Sequence, residues 1–185
     1  NTQMAYGGIT EHQSTGGLER ALGNGVEFVG VSPQKSDMPE FINAEWISVR
    51  PGTDTALMLG IAYVLEDRKL ADHEFLHSHC IGYERFRDYL LGVKDGVAKT
   101  PDWASEICSV AVSDIVSLAV KIAEKRSFLT AAWSLQRADH GEQPYWMMIA
   151  LACMAGHVGK PGGGFGFGYG AEGYIGSDWR RFNWA

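Results

Sequence analysis

The most recognisable chemical motif is the pentapeptide HEFLH at residues 73–77, in which two histidines stand four residues apart with a glutamate beside the first. On a helix this spacing puts both imidazoles on one face, where they can bind zinc while the glutamate acts as a general base. Phe75 and Leu76 are predicted to face the core, which turns the two histidines and Glu74 toward water. No third ligand follows at a suitable spacing, so the pattern favours a solvated helix face over a zinc hydrolase.

A second set of candidate residues follows three predicted strands, at the points where those strands end. The polar segments are Ser32, Pro33, Gln34 and Lys35; Gly52, Thr53 and Asp54; and Trp133, Ser134, Leu135, Gln136 and Arg137. In open parallel sheets, ligands bind at the carboxyl ends of the strands, where helix N-termini point free N–H groups at anions. The three segments therefore predict a ligand-binding edge.

Two charged residues at this edge have two interpretations each. Asp54 stands in the predicted first turn of a helix, where a carboxylate stabilises the helix dipole by up to ~1 kcal/mol. The same carboxylate can also accept two parallel hydrogen bonds from the N1–H and exocyclic amine of a guanine. Arg137 belongs either to a surface ion-pair cluster with its acidic neighbours or to a clamp for an anion or oxo group. Spacing alone leaves both questions open.

The elements that would position these residues alternate between strand and helix patterns, which favours an α/β fold with a parallel sheet. Strands are predicted at 26–31, 46–49 and 128–133. Helices are predicted at 11–22, 54–66 and 144–157, with Ser113 as the N-cap of another and several short helices between 70 and 108. The loop 134–141 links the third strand to the last helix, whose Tyr145, Trp146 and methionines are interpreted as core residues.

A glycine and aromatic tract at 162–168 superficially resembles a phosphate-binding loop. A dinucleotide fingerprint follows a strand and opens a helix, whereas this tract follows a predicted helix and opens none. It therefore predicts a backbone that passes close to a neighbour or a flexible crossing, with aromatic side chains that are candidates for a pocket wall.

Composition excludes several classes of protein. The chain has 185 residues, with 16 Lys and Arg against 22 Asp and Glu for a formal charge of −6. Without clustered cations, binding to a nucleic-acid backbone is not expected. Three widely spaced cysteines argue against an iron–sulfur cluster, a four-cysteine zinc site or a disulfide framework. The longest apolar stretch, 147–155, is too short for a membrane span, and the chain ends lead us to expect an excised part of a larger protein.

Long stretches of the chain resemble the molybdenum enzymes of the dimethyl sulfoxide reductase family. The stretches are RPGTDTALMLGIAYVL, YLLGVKDGVAKTPDWASEICSV, WSLQRADHGEQPYWMMIALACMAGHVGKPGGGFGFG and the opening NTQ. The closest similarity is to the branch that contains trimethylamine N-oxide, dimethyl sulfoxide and biotin sulfoxide reductases, and it covers residues 1–169. It implies a Rossmann-like, three-layer parallel sheet over residues 1–160, with its first strand before Asn1, followed by a connecting segment over 161–185.

The resemblance also implies a cofactor, a bis(molybdopterin guanine dinucleotide) molybdenum centre, and a role for each polar segment. Asn1, Thr2 and Gln3 match the end of a strand that meets the cofactor. Residues 32–35 match a loop around the guanosine, although the acidic residue that many members carry there is absent. Residues 52–54 match the segment in which an aspartate contacts guanine, which favours the functional interpretation of Asp54. A loop that contacts the pterin in the family is matched by Ala132, Trp133, Ser134 and Gln136. Arg137 matches an arginine that faces the molybdenum pocket.

The family reaction is oxygen-atom transfer from an S-oxide or N-oxide, in which Arg137 is expected to donate a charge-assisted hydrogen bond toward the oxygen. The serine that ligates molybdenum in this branch is expected upstream, so this chain alone is predicted to be inactive. The expected partners are the substrate, the remaining domains, and an electron-donor protein or nicotinamide donor, in the bacterial periplasm rather than the cytoplasm. The alternative is a non-catalytic nucleotide-binding or interaction module of the same fold.

Overall fold

Helices outnumber strands in the computed structural model, which describes residues 14–166 of the chain. The helices are α1 (Ser14–Gly23), α2 (Asp54–Asp67), α3 (His73–His79), α4 (Tyr83–Leu90), α5 (Pro101–Cys108), α6 (Val112–Glu124) and α7 (Gln143–Met154). The strands are β1 (Val29–Val31), β2 (Glu45–Ile47), β3 (Phe128–Thr130) and β4 (Gly164–Gly166). Short 3-10 turns occupy Lys35–Asp37, Glu40–Ile42 and Trp133–Arg137.

All four described strands pair in parallel, as predicted, but they form two separate sheets of two strands each. β1 pairs with β2 so that Val31 stands opposite Ile47, and β3 pairs with β4 so that Thr130 stands opposite Gly166. The mixed α/β class is therefore confirmed. The single three-layer, Rossmann-like sheet is not confirmed by the described residues.

Helix α2 is the centre of the core, because it contacts α5, α6 and α7. Its residues Leu57, Ile61 and Leu65 are all at most 3% exposed. Gly60 allows α5 to approach, since a Cβ atom at that position would lie 2.6 Å from the Cβ of Ala104. The same helix begins at Asp54, so the packing of α2 fixes where that carboxylate stands.

Several predicted elements differ from those observed. The strands are shorter than predicted, and β1 is not a buried strand, because Val29 and Val31 are each 37% exposed and only Gly30 between them is buried. Ser113 is not an N-cap but lies inside α6, which begins at Val112 with Ala111 in the N-cap position. The predicted loop after β3 begins with a 3-10 turn instead.

The glycine tract also differs from its prediction in part. Residues 164–166 form β4 rather than an irregular crossing, while the expected close approach is present: a Cβ at Gly163 would lie 2.8 Å from the carbonyl oxygen of His157. The position of a boundary at 160 stays a prediction. Within residues 14–166, no helix has the length and apolar character that crossing a bilayer requires.

Candidate functional site

The first polar segment forms a tight turn directly after β1. Ser32 is buried, and its hydroxyl donates to the Asp37 carboxylate while accepting the N–H of Gln34 at 3.3 Å. The carbonyl of Ser32 accepts the indole N–H of Trp46 at 2.9 Å. These bonds hold the turn in place, and Pro33, Gln34 and Lys35 are exposed around it.

Residues 52–54 lie beyond the end of the neighbouring strand β2. Gly52 has φ = +76°, a conformation that favours glycine, and a Cβ there would have open space around it. Thr53 closes the turn, because its hydroxyl donates to the carbonyl of Arg50 at 2.7 Å. The turn leaves the first N–H groups of α2 without partners in the helix. Since β1 and β2 are parallel, the segments at 32–35 and 52–54 follow strand ends at the same sheet edge.

Asp54 is the most unusual group at this edge. It is partly buried, and burial raises the pKa of its carboxyl group, while a hydrogen bond from its own backbone N–H lowers that pKa to a smaller extent. Among the described residues no lysine, arginine or histidine forms an ion pair with it. A partly desolvated carboxylate without a cation is suited to accept hydrogen bonds from a ligand.

Tyr145, in the first turn of α7, holds the third segment. Its hydroxyl donates to the carbonyl of Ala132 at 2.8 Å. Burial raises the pKa of Tyr145, a backbone hydrogen bond from Gln136 lowers it, and the charge of Asp54 raises it. The hydrogen bond from Tyr145 therefore holds residues 132–136 against the start of α7.

The third segment is a 3-10 turn whose side chains reach solvent. Trp133 is 38% exposed, and Ser134, Gln136 and Arg137 are exposed. Gly141 folds the following loop against this turn, since a Cβ there would lie 2.5 Å from the carbonyl of Gln136. In the described part of the chain, Asp139 pairs with His140 at 3.0 Å, and no ion pair includes Arg137. The surface ion-pair interpretation of Arg137 thus has no support within residues 14–166.

The structure places residues 32–35 beside the end of β2, and it ties the 132–136 turn to the first turn of α7 through Tyr145. Asn1, Thr2 and Gln3 lie outside the described residues. The binding roles of all these residues stay predictions.

Sequence reasoning missed two residues at this edge. Tyr145 was assigned to the core, and only its carbonyl partner, thirteen positions earlier, identifies it as a bridge. Asp37 is an acidic residue in the loop after β1, two positions beyond the segment in which an acid was expected. The sequence signal for Tyr145 is an aromatic residue in the first turn of a helix that follows a polar loop. The sequence signal for Asp37 is a carboxylate that follows Ser32 closely along the chain.

Residues 73–77 (HEFLH) lie in α3, and the predicted solvent-facing side of this helix is confirmed. Leu76 is buried, whereas His73, Glu74 and His77 are exposed. No cluster of three or more potential metal ligands occurs among residues 14–166. His73 instead lies 3.3 Å from the buried carboxylate of Glu66.

Two clefts open beside α3 and α4, of about 350 and 640 Å³. His73 and Glu84 line both clefts. None of the residues predicted to bind the cofactor lines either of them.

Comparison with known proteins identifies the family to which this chain belongs. A model of the molybdopterin oxidoreductase family matches residues 11–176, and the chain is a member of that family. The biotin sulfoxide reductase of Cereibacter sphaeroides is 44% identical over 175 residues, which are 95% of this chain and 24% of that protein. The trimethylamine-N-oxide reductase of Haemophilus influenzae is 46% identical over 146 residues, which are 79% of this chain and 18% of that protein.

Among solved structures, acetylene hydratase from Pelobacter acetylenicus has a similar fold. The TM-score is 0.67 over 81% of this chain and 20% of that one, at 22% sequence identity. The chain therefore spans about a fifth to a quarter of the length of the relatives it matches. The similarity supports the fold, and the sequence relatives support the family.

Proposed function

We propose that this chain binds the guanine dinucleotide portion of a bis(molybdopterin guanine dinucleotide) molybdenum cofactor, as one domain of a longer enzyme that reduces S-oxides or N-oxides. The relatives named above carry such substrates in their names, and the family is defined by molybdopterin. In the longer enzyme, further strands would complete the Rossmann-like layer that the two small parallel sheets begin.

The observation that carries this proposal is the state of Asp54. Guanine presents two adjacent donors, N1–H and the exocyclic amine, which match the two oxygens of a carboxylate. Asp54 offers such a carboxylate, partly buried and without a cationic partner among the described residues. Burial weakens competition from water, so each hydrogen bond to the charged group contributes about 1.5–3 kcal/mol.

The neighbouring residues fit a dinucleotide as well. The open space beside Gly52 and the first-turn N–H groups of α2, which have no partner within the helix, suit a phosphate because helix N-termini favour anions. Lys35 is an exposed cation in the loop after β1, and Asp37 and Gln34 offer an acceptor and an amide for the ribose. Ala132, Trp133, Ser134 and Gln136 form the surface on which we place the pterin.

When bound, the cofactor supplies the two-electron oxygen-atom transfer, and the residues of this chain hold and orient it. Tyr145 keeps the 132–136 turn in place through its hydrogen bond to Ala132. Arg137 is exposed and has no ion-pair partner within residues 14–166, and in this proposal it donates a charge-assisted hydrogen bond to the oxygen of the substrate. Asn1, Thr2 and Gln3 complete the cofactor contacts in this proposal.

The remaining partners follow from the same proposal. The electrons come from a donor protein or a nicotinamide donor, and the enzyme works in the bacterial periplasm. Fractionation of cells that express the complete reading frame, followed by immunodetection, tests the location.

The test of the proposal compares Asp54→Asn with Asp67→Asn in the intact enzyme. Both aspartates are on α2, but Asp67 is exposed at the opposite end of the helix. We expect Asp54→Asn to lose most of its molybdenum and guanine, measured by elemental analysis and by chromatography of the released nucleotide. Asp67→Asn keeps the wild-type content of both. Equal cofactor content in the two variants would reject the role of Asp54.

A further inference from the structure

Helix α7 has an unusually apolar sequence for a helix at a protein surface. Its residues, QPYWMMIALACM, include no acidic, basic or histidine side chain. A helix that meets water on one side carries polar residues on that side, whereas a helix that is apolar all round is typically buried all round. The sequence of α7 is therefore that of a helix with neighbours on every side.

In the described part of the chain, only one side of α7 is covered. Met147, Leu151 and Met154 are each at most 5% exposed and belong to the core that α7 shares with α2. On the other side, Trp146 is 73% exposed and Ile149 is 40% exposed. These two residues are three positions apart, so their side chains are neighbours on one face of the helix, the outer face of α7.

Helix α6 shows how this chain builds a helix that meets water on one side. It buries Ile115 and Ala119, and it exposes Asp114, Ser117 and Glu124. The outer face of α7 presents an aromatic and an aliphatic side chain where α6 presents polar ones. Because removing such side chains from water is favourable in proportion to their apolar area, this face favours a protein neighbour over solvent.

The length of the relatives indicates which neighbour covers this face. The chain covers 24% of the biotin sulfoxide reductase and 18% of the trimethylamine-N-oxide reductase, so most of each relative lies outside the matched region. A domain linked to this one in the same polypeptide has a far higher effective concentration at the outer face than a second copy has. An uncharged face also gives no electrostatic preference for a charged partner.

We propose that the outer face of α7 is an interface with an apolar surface of another domain of the same polypeptide, outside residues 1–185. The indole of Trp146 is the main anchor, because tryptophan buries a large apolar area with little loss of side-chain freedom. Tyr145, the preceding residue, holds the 132–136 turn through Ala132, so the interface joins the other domain to the helix that fixes this turn. The inference rests on one part of the proposed function, that the chain is a domain of a longer enzyme.

Photocross-linking in the intact enzyme tests the inference. The photoreactive amino acid p-benzoylphenylalanine replaces Trp146, and the irradiated protein is analysed on a denaturing gel and by peptide mass spectrometry. We expect a product with the mass of one polypeptide, in which position 146 is cross-linked to a residue outside 1–185. The matched control replaces Val93, which is 72% exposed but stands in a turn beside Lys94 and Asp95, and we expect no cross-linked peptide from it.

Hydroxyl-radical labelling of the wild-type enzyme decides the matter if the substituted protein fails to fold. We expect Trp146 to be oxidised many-fold more slowly in the native enzyme than in the urea-unfolded one. A cross-link to a second copy, a cross-link within residues 1–185, no cross-link from position 146, or equal labelling of native and unfolded Trp146 would overturn the inference. None of these readings depends on bound cofactor, so the cofactor content of Asp54→Asn judges the proposed function separately.

Discussion

Replacing Glu66 with glutamine tests how α3 and α4 are held to the central helix. Glu66 is 8% exposed, and its carboxylate accepts the hydroxyl of Tyr83 at 2.7 Å and the Nε–H of Arg87, with His73 at 3.3 Å. Burial raises the pKa of Glu66, but the hydrogen bonds from Arg87 and Tyr83 and the charges of His73 and Arg87 outweigh it. The pKa therefore lies below its ordinary value of 4.5.

The expected loss of stability follows from these contacts. Glutamine keeps one acceptor oxygen but removes a charge-assisted hydrogen bond, which contributes about 1.5–3 kcal/mol. The side chain of Arg87 is 39% exposed, so water compensates part of the loss. We expect the free energy of unfolding to fall by about 1–2 kcal/mol, or roughly 2–8 °C in melting temperature for a chain of this size.

The pH dependence has a defined sign. Because the carboxyl group binds a proton more weakly in the folded than in the unfolded protein, Glu66 stabilises the fold fully above the unfolded pKa. That stabilisation disappears as the pH falls through the folded pKa. The stability gap between wild type and Glu66→Gln is therefore largest above pH of about 5 and shrinks below pH of about 4.

Urea denaturation followed by circular dichroism at several pH values measures this gap. The matched control is Asp67→Asn, which changes the adjacent exposed carboxylate and is expected to stay within about 0.5 kcal/mol of wild type. A Glu66→Gln variant as stable as this control, or a gap that stays constant down to the acid limit, would refute the reasoning.

Three further predictions concern packing and the polar edge. Gly60→Ala places a Cβ 2.6 Å from the Cβ of Ala104, so the free energy of unfolding measured by thermal denaturation should fall by about 1–3 kcal/mol. Gly17→Ala, which has open space in α1, should leave that free energy unchanged or raise it. Tyr145→Phe should lower the cofactor content of the intact enzyme because it removes the hydrogen bond to Ala132. Trp146→Phe changes the neighbouring residue, which is 73% exposed, and should not lower it. Equal cofactor content in the two variants would contradict a role for Tyr145 in the site. Arg137→Ala should lower kcat while the molybdenum content stays normal, and Arg68→Ala, at another exposed arginine, should change neither quantity. An unaltered kcat in both variants would contradict the role proposed for Arg137.

The sequence predicts α2 well, because a turn at Gly52, an acidic first turn and regularly spaced apolar residues all indicate the same start and the same buried face. It predicts the strands less well. β1 through β4 have only three residues each, and so short a segment has too few alternating side chains to define its ends. β4 was missed because Gly164 and Gly166 have low strand propensity, and its pairing with β3 is a long-range contact that no local pattern encodes.

At the polar edge, the residue types of the three segments were visible in the sequence, but their connection was not. Tyr145 ties the 132–136 turn to α7 through the backbone carbonyl of Ala132. A carbonyl is present at every position, so sequence has no means to single out Ala132 as a partner. The chemical type of a site is thus easier to predict than the contacts that assemble it.

The central claim, that the Asp54 carboxylate recognises the guanine donors, is tested most directly by comparing GDP with IDP, whose base lacks only the exocyclic amine. Isothermal titration of the wild-type chain should give tighter binding of GDP, by roughly tenfold or more for one charge-assisted hydrogen bond. In Asp54→Asn that preference should largely disappear, and in Asp67→Asn it should remain. Equal affinity of the wild type for GDP and IDP, or a preference that survives in Asp54→Asn, would contradict the account.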